Sequence, residues 1–226
     1  MTKKIKLNKT TIGHNPYVGL FTSSNDKVTL APSILEHKER KILEDTLGTE
    51  VILTRVQNSY FIGVFLEGNN KSFIMAKSCE DKETVKLREA GVKIHSLDVK
   101  DNALGNLVAC NDYGAYASHL LAAHKNEIAT GLGLEEDRIH IGQIAGLDIV
   151  GSAVLATNNG FIAHPKITDK EFEELEKLFK VKGGTTTANY GDPLVSNSIT
   201  ANSHGAVVGE RTSSPEIIRI SENLIR

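Results

Sequence analysis

Cys79 and Cys110 are the two thiols of this 226-residue chain, and with His164 and His204 they are the groups best suited to nucleophilic catalysis. A cysteine hydrolase needs its thiol beside a histidine and a third group that orients the ring. Cys110 stands in Val-Ala-Cys-Asn at an alternating strand position, which suits a packed thiol. Neither His164 nor His204 has a cysteine in its own stretch of chain, and His164-Pro165 closes an expected strand, which suits a structural role. Two cysteines are too few for a disulfide framework or a thiolate zinc site, and no spacing in the chain calls for a metal or cofactor.

A second kind of chemistry is non-covalent. Asn58, Ser59, Tyr60, Asn102, Asn189, Tyr190 and Asp192 precede a recurring small residue, and Asn106, Ser152 and Asn197 follow it directly. Amides, hydroxyls and a carboxylate so gathered suit a specific, wet docking surface, while turn chemistry accounts for each Asn or Asp at least as well. Net charge is −2, which excludes a domain that holds nucleic acid by neutralising many phosphates, so any RNA contact is local. The basic run Lys3, Lys4, Lys6 and Lys9 reads as a solvated N-terminal segment without a role. With 40% hydrophobic and 24% charged residues the composition is that of a globular protein with a core. The absence of a signal pattern and of an apolar run of ~18 residues suggests a cytoplasmic protein.

What must position these groups is a repeat. Anchored on Gly19, Gly63, Gly105, Gly151 and Ser196, one phrase recurs at spacings of 44, 42, 46 and 45 residues. Six positions after each anchor stands Asn25, Asn69, Asn111, Thr157 or Asn202. Gly114, Gly160 and Gly205 follow three positions later in the last three copies, so each copy predicts a tight turn between two strands, with left-handed backbone at these residues. Val28 and Ser72 replace the glycine in the first two copies, which predicts turns of different build. Helix starts follow at Ser33-Ile-Leu-Glu36, Thr168-Asp-Lys-Glu171 and Ser213-Ser-Pro-Glu216 as capping boxes, and Gly48, Gly91 and Gly133 suit helix ends. Short strands, EVILT, VKIHSL and RIHIGQI, come next; the third copy lacks the box and should be irregular.

The expected unit is therefore strand, turn, strand, helix, strand, repeated at about 10–54, 55–98, 99–143, 144–186 and 187–226 in a single domain. Closure into a ring, which would cover every strand edge, fits better than an open solenoid and makes a monomer the default. The anchors should begin the first strands, and Leu20, Val64, Asn106, Ser152 and Asn197 should form a circle at one mouth of the ring.

The stretches NALGNLVACNDYGA, IAGLDIVGSAVLATNNGFIAHP, GTTTANYGDPLVSNSITANSHGAVVGE and TSSPEIIRISENL resemble the translation initiation factor 6 family. The resemblance spans all five copies, is strongest from residue 101 onward, and looks archaeal because the chain stops soon after its fifth helix. It implies a pentein fold, an α/β propeller of five ββαβ units about a pseudo-fivefold axis. It implies a factor that binds the joining face of the large ribosomal subunit, beside the sarcin–ricin loop and a neighbouring ribosomal protein. The factor sterically keeps the small subunit off and is linked to subunit biogenesis. Release by an elongation-factor-like GTPase with the Shwachman–Bodian–Diamond protein is implied too, and Asn106, in the family word Leu-Gly-Asn, is the residue it supports most. The rival reading is a guanidine-modifying hydrolase, because such enzymes share the pentein fold.

Overall fold

Five three-stranded sheets organise the chain, whose computed structural model describes residues 6–79 and 82–224. An N-terminal strand, β1 (Lys6–Thr10), comes first and is taken up below. The first sheet holds β2 (Ser23–Ser24), β3 (Val28–Pro32) and β4 (Glu50–Thr54); the second holds β5 (Glu67–Gly68), β6 (Phe73–Ala76) and β7 (Ile94–Leu97). The third holds β8 (Val108–Cys110), β9 (Ala115–Ser118) and β10 (Ile139–Gly142); the fourth holds β11 (Val154–Ala156), β12 (Phe161–Ala163) and β13 (Gly183–Thr185). In each, the first two strands are antiparallel and the third returns parallel to the second.

A parallel return needs a crossover. Helices α2 (His37–Leu47), α4 (Lys82–Glu89), α6 (Lys125–Leu132) and α8 (Asp169–Phe179) provide it, while α10 (Ser214–Leu224) follows the last hairpin. The third crossover is irregular as expected: a 3₁₀ stretch, His119–His124, precedes α6.

The fifth sheet is completed from the other end of the chain. β14 (Ile199–Asn202) and β15 (Gly205–Gly209) form its hairpin, and β1 pairs in parallel with β15 from Lys6↔Gly205 to Thr10↔Gly209. The expectation of a segment without a role is thus corrected, although Lys6 and Lys9 are exposed as expected: the segment is a paired strand, and Lys9 Nζ donates to Thr212 O (2.7 Å) and Lys6 Nζ to Asp45 O (2.6 Å). Lys3 and Lys4 lie outside the described residues. Strand pairing does not cross between the five sheets. Neighbouring units are sealed by helices instead. Leu43 and Leu47 of α2 bury themselves with Ala31 and Val51 of the first sheet and with Val207 of the fifth, each leucine contributing ~1.5–3 kcal/mol.

The anchors do not begin strands. They sit in single helical turns, α1 (Val18–Phe21), α3 (Ile62–Phe65), α5 (Leu104–Leu107), α7 (Val150–Ala153) and α9 (Val195–Ser198). Each turn packs on the next, and α9 packs on α1. Glycine is required by proximity: a Cβ on Gly63 would lie 1.9 Å from Gly19 O, and one on Gly19 would lie 1.8 Å from Ser196 O.

The hairpin turns are also built otherwise than expected. Left-handed backbone occurs at none of Asn25, Asn69, Asn111, Asn202, Gly114, Gly160 and Gly205. The side-chain oxygen of the turn residue accepts the backbone N–H groups two and three residues on instead, as Asn25 Oδ1 does from Lys27 N and Val28 N (2.9 and 3.0 Å). Asn69 closes the same turn ahead of Ser72, so the first two copies are built like the others. The glycines answer a different demand. A Cβ on Gly160 would meet Asn223 O at 2.0 Å, and one on Gly205 would meet Thr46 O at 2.4 Å, both in the last turn of a neighbouring helix.

Candidate functional site

The loops before the anchors share one end of the units, the opposite end from the hairpin turns. Four of them are two-stranded nubs closed by isolated bridges, Ile12↔Asn15, Val56↔Ser59, Ile144↔Leu147 and Ala188↔Asp192. Their tips need positive φ, which Gly13, Gly146 and Gly191 adopt freely. His14, Gln57, Asn58, Ala145, Asn189 and Tyr190 adopt it too, at ~1–3 kcal/mol each for a side chain there.

Carboxylates stabilise three of these tips. Glu39 accepts from Gly13 N (3.1 Å), Glu171 from Ala145 N (3.1 Å), and Glu216 from Tyr190 N (3.2 Å) and Gly191 N (2.9 Å). Each of these glutamates also closes its own helix start, accepting from Glu36 N, Thr168 N and Ser213 N respectively (2.9, 2.8 and 2.7 Å). The box at Thr168/Glu171 stands, Ser213/Glu216 keeps the carboxylate's half of one with the serine hydroxyl donating to the same oxygen, and the first is shifted by three residues, from Ser33/Glu36 to Glu36/Glu39. The shifted box carries a second task, since Glu39 also accepts from Gly13 N at the tip. Burial works to raise the Glu216 carboxyl, but hydrogen bonds from Thr187, Ser213 and Gly191 outweigh it and bring it down to about 2.

The residues expected to make contact divide by what they touch. Asn58, Ser59 and Tyr60 share the second tip. Arg55, which the sequence did not single out, organises them: it donates to Asn58 Oδ1 (3.2 Å) and to the Tyr60 hydroxyl (2.7 Å), with its guanidinium 4.6 Å over the Tyr60 ring. Ser59 Oγ accepts from Phe61 N (3.1 Å), and the half-exposed Phe61 ring lies 5.0 Å from Phe21. Tyr190 is 84% exposed and Asn102 is exposed in the one anchor loop without a bridged tip. Asp192 Oδ1 accepts from Leu194 N (2.9 Å).

Ser152 and Asn106 meet, the serine hydroxyl donating to Asn106 Oδ1 (3.2 Å). Asn106 and Asn197 are partly exposed, whereas Ser152 is only 3% exposed and presents little to a partner. Asn189 is buried: its Nδ2 donates to Pro16 O (2.8 Å) and Ser198 Oγ (2.9 Å), tying the fifth anchor loop to the first. The register of turn and strand did not reveal the burial of Asn189, because it depends on which loops meet, whereas Arg55 lies in the same loop as Asn58 and Tyr60, and that proximity in sequence was the signal available.

The groups with catalytic potential are not assembled. Cys110 is 3% exposed and donates from Sγ to Glu67 Oε1 (3.4 Å); burial, then the nearby Glu67, pushes the thiol well up. Burial raises Glu67 in turn, to about 8. His164 Nδ1 accepts from Lys166 N (3.1 Å), and burial lowers its ring. The anchor end presents amides, hydroxyls, the Arg55 guanidinium and the Asp192 carboxylate beside two exposed aromatic rings, Phe61 and Tyr190.

A model described as the eIF-6 family matches residues 7–223. The chain is 37% identical over 219 residues to translation initiation factor 6 of Pyrococcus horikoshii, covering 93% of this chain and 95% of that one. It is 34% identical over 216 residues to the Staphylothermus marinus factor (93% of each chain). With the Methanocaldococcus jannaschii factor it shares 35% over 217 residues (92% and 93%).

Proposed function

The chain belongs to the eIF-6 family, and from that premise we propose that it binds the joining face of the large ribosomal subunit and blocks the small subunit by bulk, without chemistry. The observation that carries this reading is the family match along almost the whole chain. The anchor end is the docking surface, with Asn106 near its centre and Asn58, Tyr60, Asn102, Tyr190, Asp192 and Asn197 around it; Ser59, Ser152 and Asn189 hold these in place. The contact is with a ribosomal protein beside the sarcin–ricin loop and local RNA, and release by an elongation-factor-like GTPase with the Shwachman–Bodian–Diamond protein follows. The protein works in the cytoplasm as a monomer and in subunit biogenesis.

We read the five units as one closed domain with pseudo-fivefold symmetry, the pentein arrangement. The succession of packed anchor turns supports this, as does the chain of bonds from Asn25 to Asn69 O, Asn69 to Asn111 O, Asn111 to Thr157 O and Asn202 to Asn25 O. Against the hydrolase reading stands Cys110, whose partner is a carboxyl group and not an imidazole.

The test is cosedimentation. Purified protein should pellet with large but not small ribosomal subunits and lower the yield of joined ribosomes. Asn106→Asp should weaken pelleting while leaving the thermal midpoint nearly unchanged, because an aspartate still accepts the Ser152 hydroxyl. Equal pelleting with both subunits, or a large stability loss in Asn106→Asp, would refute the respective claim.

A further inference from the structure

Four of the five long helices end on a side chain from a neighbouring hairpin turn. Asn202 Nδ2 donates to Leu47 O at the end of α2 (2.9 Å) and Asn69 Nδ2 to Leu132 O at the end of α6 (3.0 Å). Asn111 Nδ2 donates to Phe179 O of α8 (2.9 Å) and Thr157 Oγ1 to Leu224 O of α10 (3.3 Å). Orphan carbonyls at a helix end are commonly satisfied in this way. Asn25 holds the equivalent position before α4. It donates to Asn69 O (2.9 Å) and, among the described residues, to no carbonyl of α4.

The residue three positions along departs at the same joint. Gly114, Gly160 and Gly205 are pressed against helix-end carbonyls, and Ser72 Oγ donates to Gly131 O. Val28, their equivalent, keeps a partly exposed side chain. After α4 the chain reaches Gly91 in left-handed backbone, with open space where a Cβ would stand.

A cleft of about 270 Å³ lies at this joint. Its floor is apolar: Val28, Ile52, Phe73 and Val92. Its rim is basic, carrying Lys27, Lys71 and Lys93 against the single carboxylate of Glu50, in a chain whose net charge is −2. Lys27 Nζ is held on Asn70 O (2.5 Å) and Lys71 Nζ on Gly133 O (2.6 Å), and each ammonium keeps further donors. The volume is near the lower end of ligand clefts, ~300–1,000 Å³, enough for one bulky side chain and its flanks.

We propose that this cleft docks an acidic peptide segment, which inserts one bulky apolar side chain over Val28, Ile52 and Phe73 and sets its carboxylates on the three lysines. The site is at the hairpin-turn end, opposite the anchor loops, so a partner held there leaves the anchor surface free. The proposal stands on the exception at α4 and does not need the ribosomal reading.

The test uses the full chain and a fluorescein-labelled peptide, Asp-Glu-Phe-Asp-Glu, followed by anisotropy. Saturable binding is expected, weakened at least about tenfold by the double change Lys27→Glu and Lys93→Glu, which alters exposed residues only. Replacing Phe in the peptide by Ser, or its acids by Asn and Gln, should weaken binding as much, and raised salt should weaken it further. Tyr190→Ala, at the other end of the molecule, should leave it unchanged. No saturation by about 1 mM peptide would overturn the proposal. So would equal affinity for the Ser peptide or for the charge-reversed protein.

Discussion

Glu216 joins the start of α10 to the exposed Tyr190 tip, so Glu216→Gln tests whether one buried carboxylate holds both. In the native chain Oε1 accepts from Thr187 Oγ1 (2.7 Å) and Gly191 N (2.9 Å), and Oε2 from Ser213 N (2.7 Å), Ser213 Oγ (2.7 Å) and Tyr190 N (3.2 Å). An amide can replace one acceptor, but its NH₂ then faces the donors Ser213 N and Tyr190 N. The carboxyl sits at about 2 when folded against 4.5 when free. At 1.36 kcal/mol per pH unit, that difference corresponds to about 3 kcal/mol at pH 7. The sign follows from the depressed folded value: the stabilisation is full above pH 4.5 and is lost as pH falls toward about 2. Urea unfolding should therefore find Glu216→Gln less stable by about 3 kcal/mol at pH 7, with a gap narrowing by about 2 kcal/mol at pH 3. A gap that stays constant between those two pH values would refute the assignment of the effect to the ionised carboxylate, and a gap under about 1 kcal/mol at pH 7 would refute the bridge itself.

Glu67 should behave in the opposite sense. Because burial raises it from 4.5 to about 8, wild-type stability should fall as pH rises between those values, and Glu67→Gln should remove that slope. At pH 7 the variant should be more stable on the order of 3 kcal/mol, with the difference gone below pH 4, as denaturant titration at several pH values would reveal. Gly160→Ala should lower stability by about 1–3 kcal/mol, since the added Cβ meets Asn223 O at 2.0 Å. Thermal melting checks it; an unchanged midpoint would mean that the end of α10 yields freely.

The period of the repeat, the order of elements within a copy and several of the helix ends were legible in the residues themselves. Each depends on neighbours a few positions apart: Gly48, Gly91 and Gly133 end helices in left-handed backbone, and Thr168 with Glu171 starts one. The positions of Asn58, Tyr60, Tyr190 and Asn106 at one end were legible too, because strand direction alone sorts the loops. The anchor turns were misread as strand starts because a lone helical turn of four residues carries no periodicity to detect.

What only the tertiary structure decided lies wherever distant copies meet. β1 reads as a charged tail until β15 pairs with it, and that pairing joins residues 6–10 to 205–209. Gly160 and Gly205 read as turn residues, yet their backbone is not left-handed, and a neighbouring helix end is what excludes a side chain. Glu39, Glu171 and Glu216 announce a helix start, and only the fold brings a loop tip to the same carboxylate. The physical reason is common to all of them: local propensity is set by the residues on either side, whereas steric exclusion and the satisfaction of buried polar groups are set by whatever the folded chain brings against them.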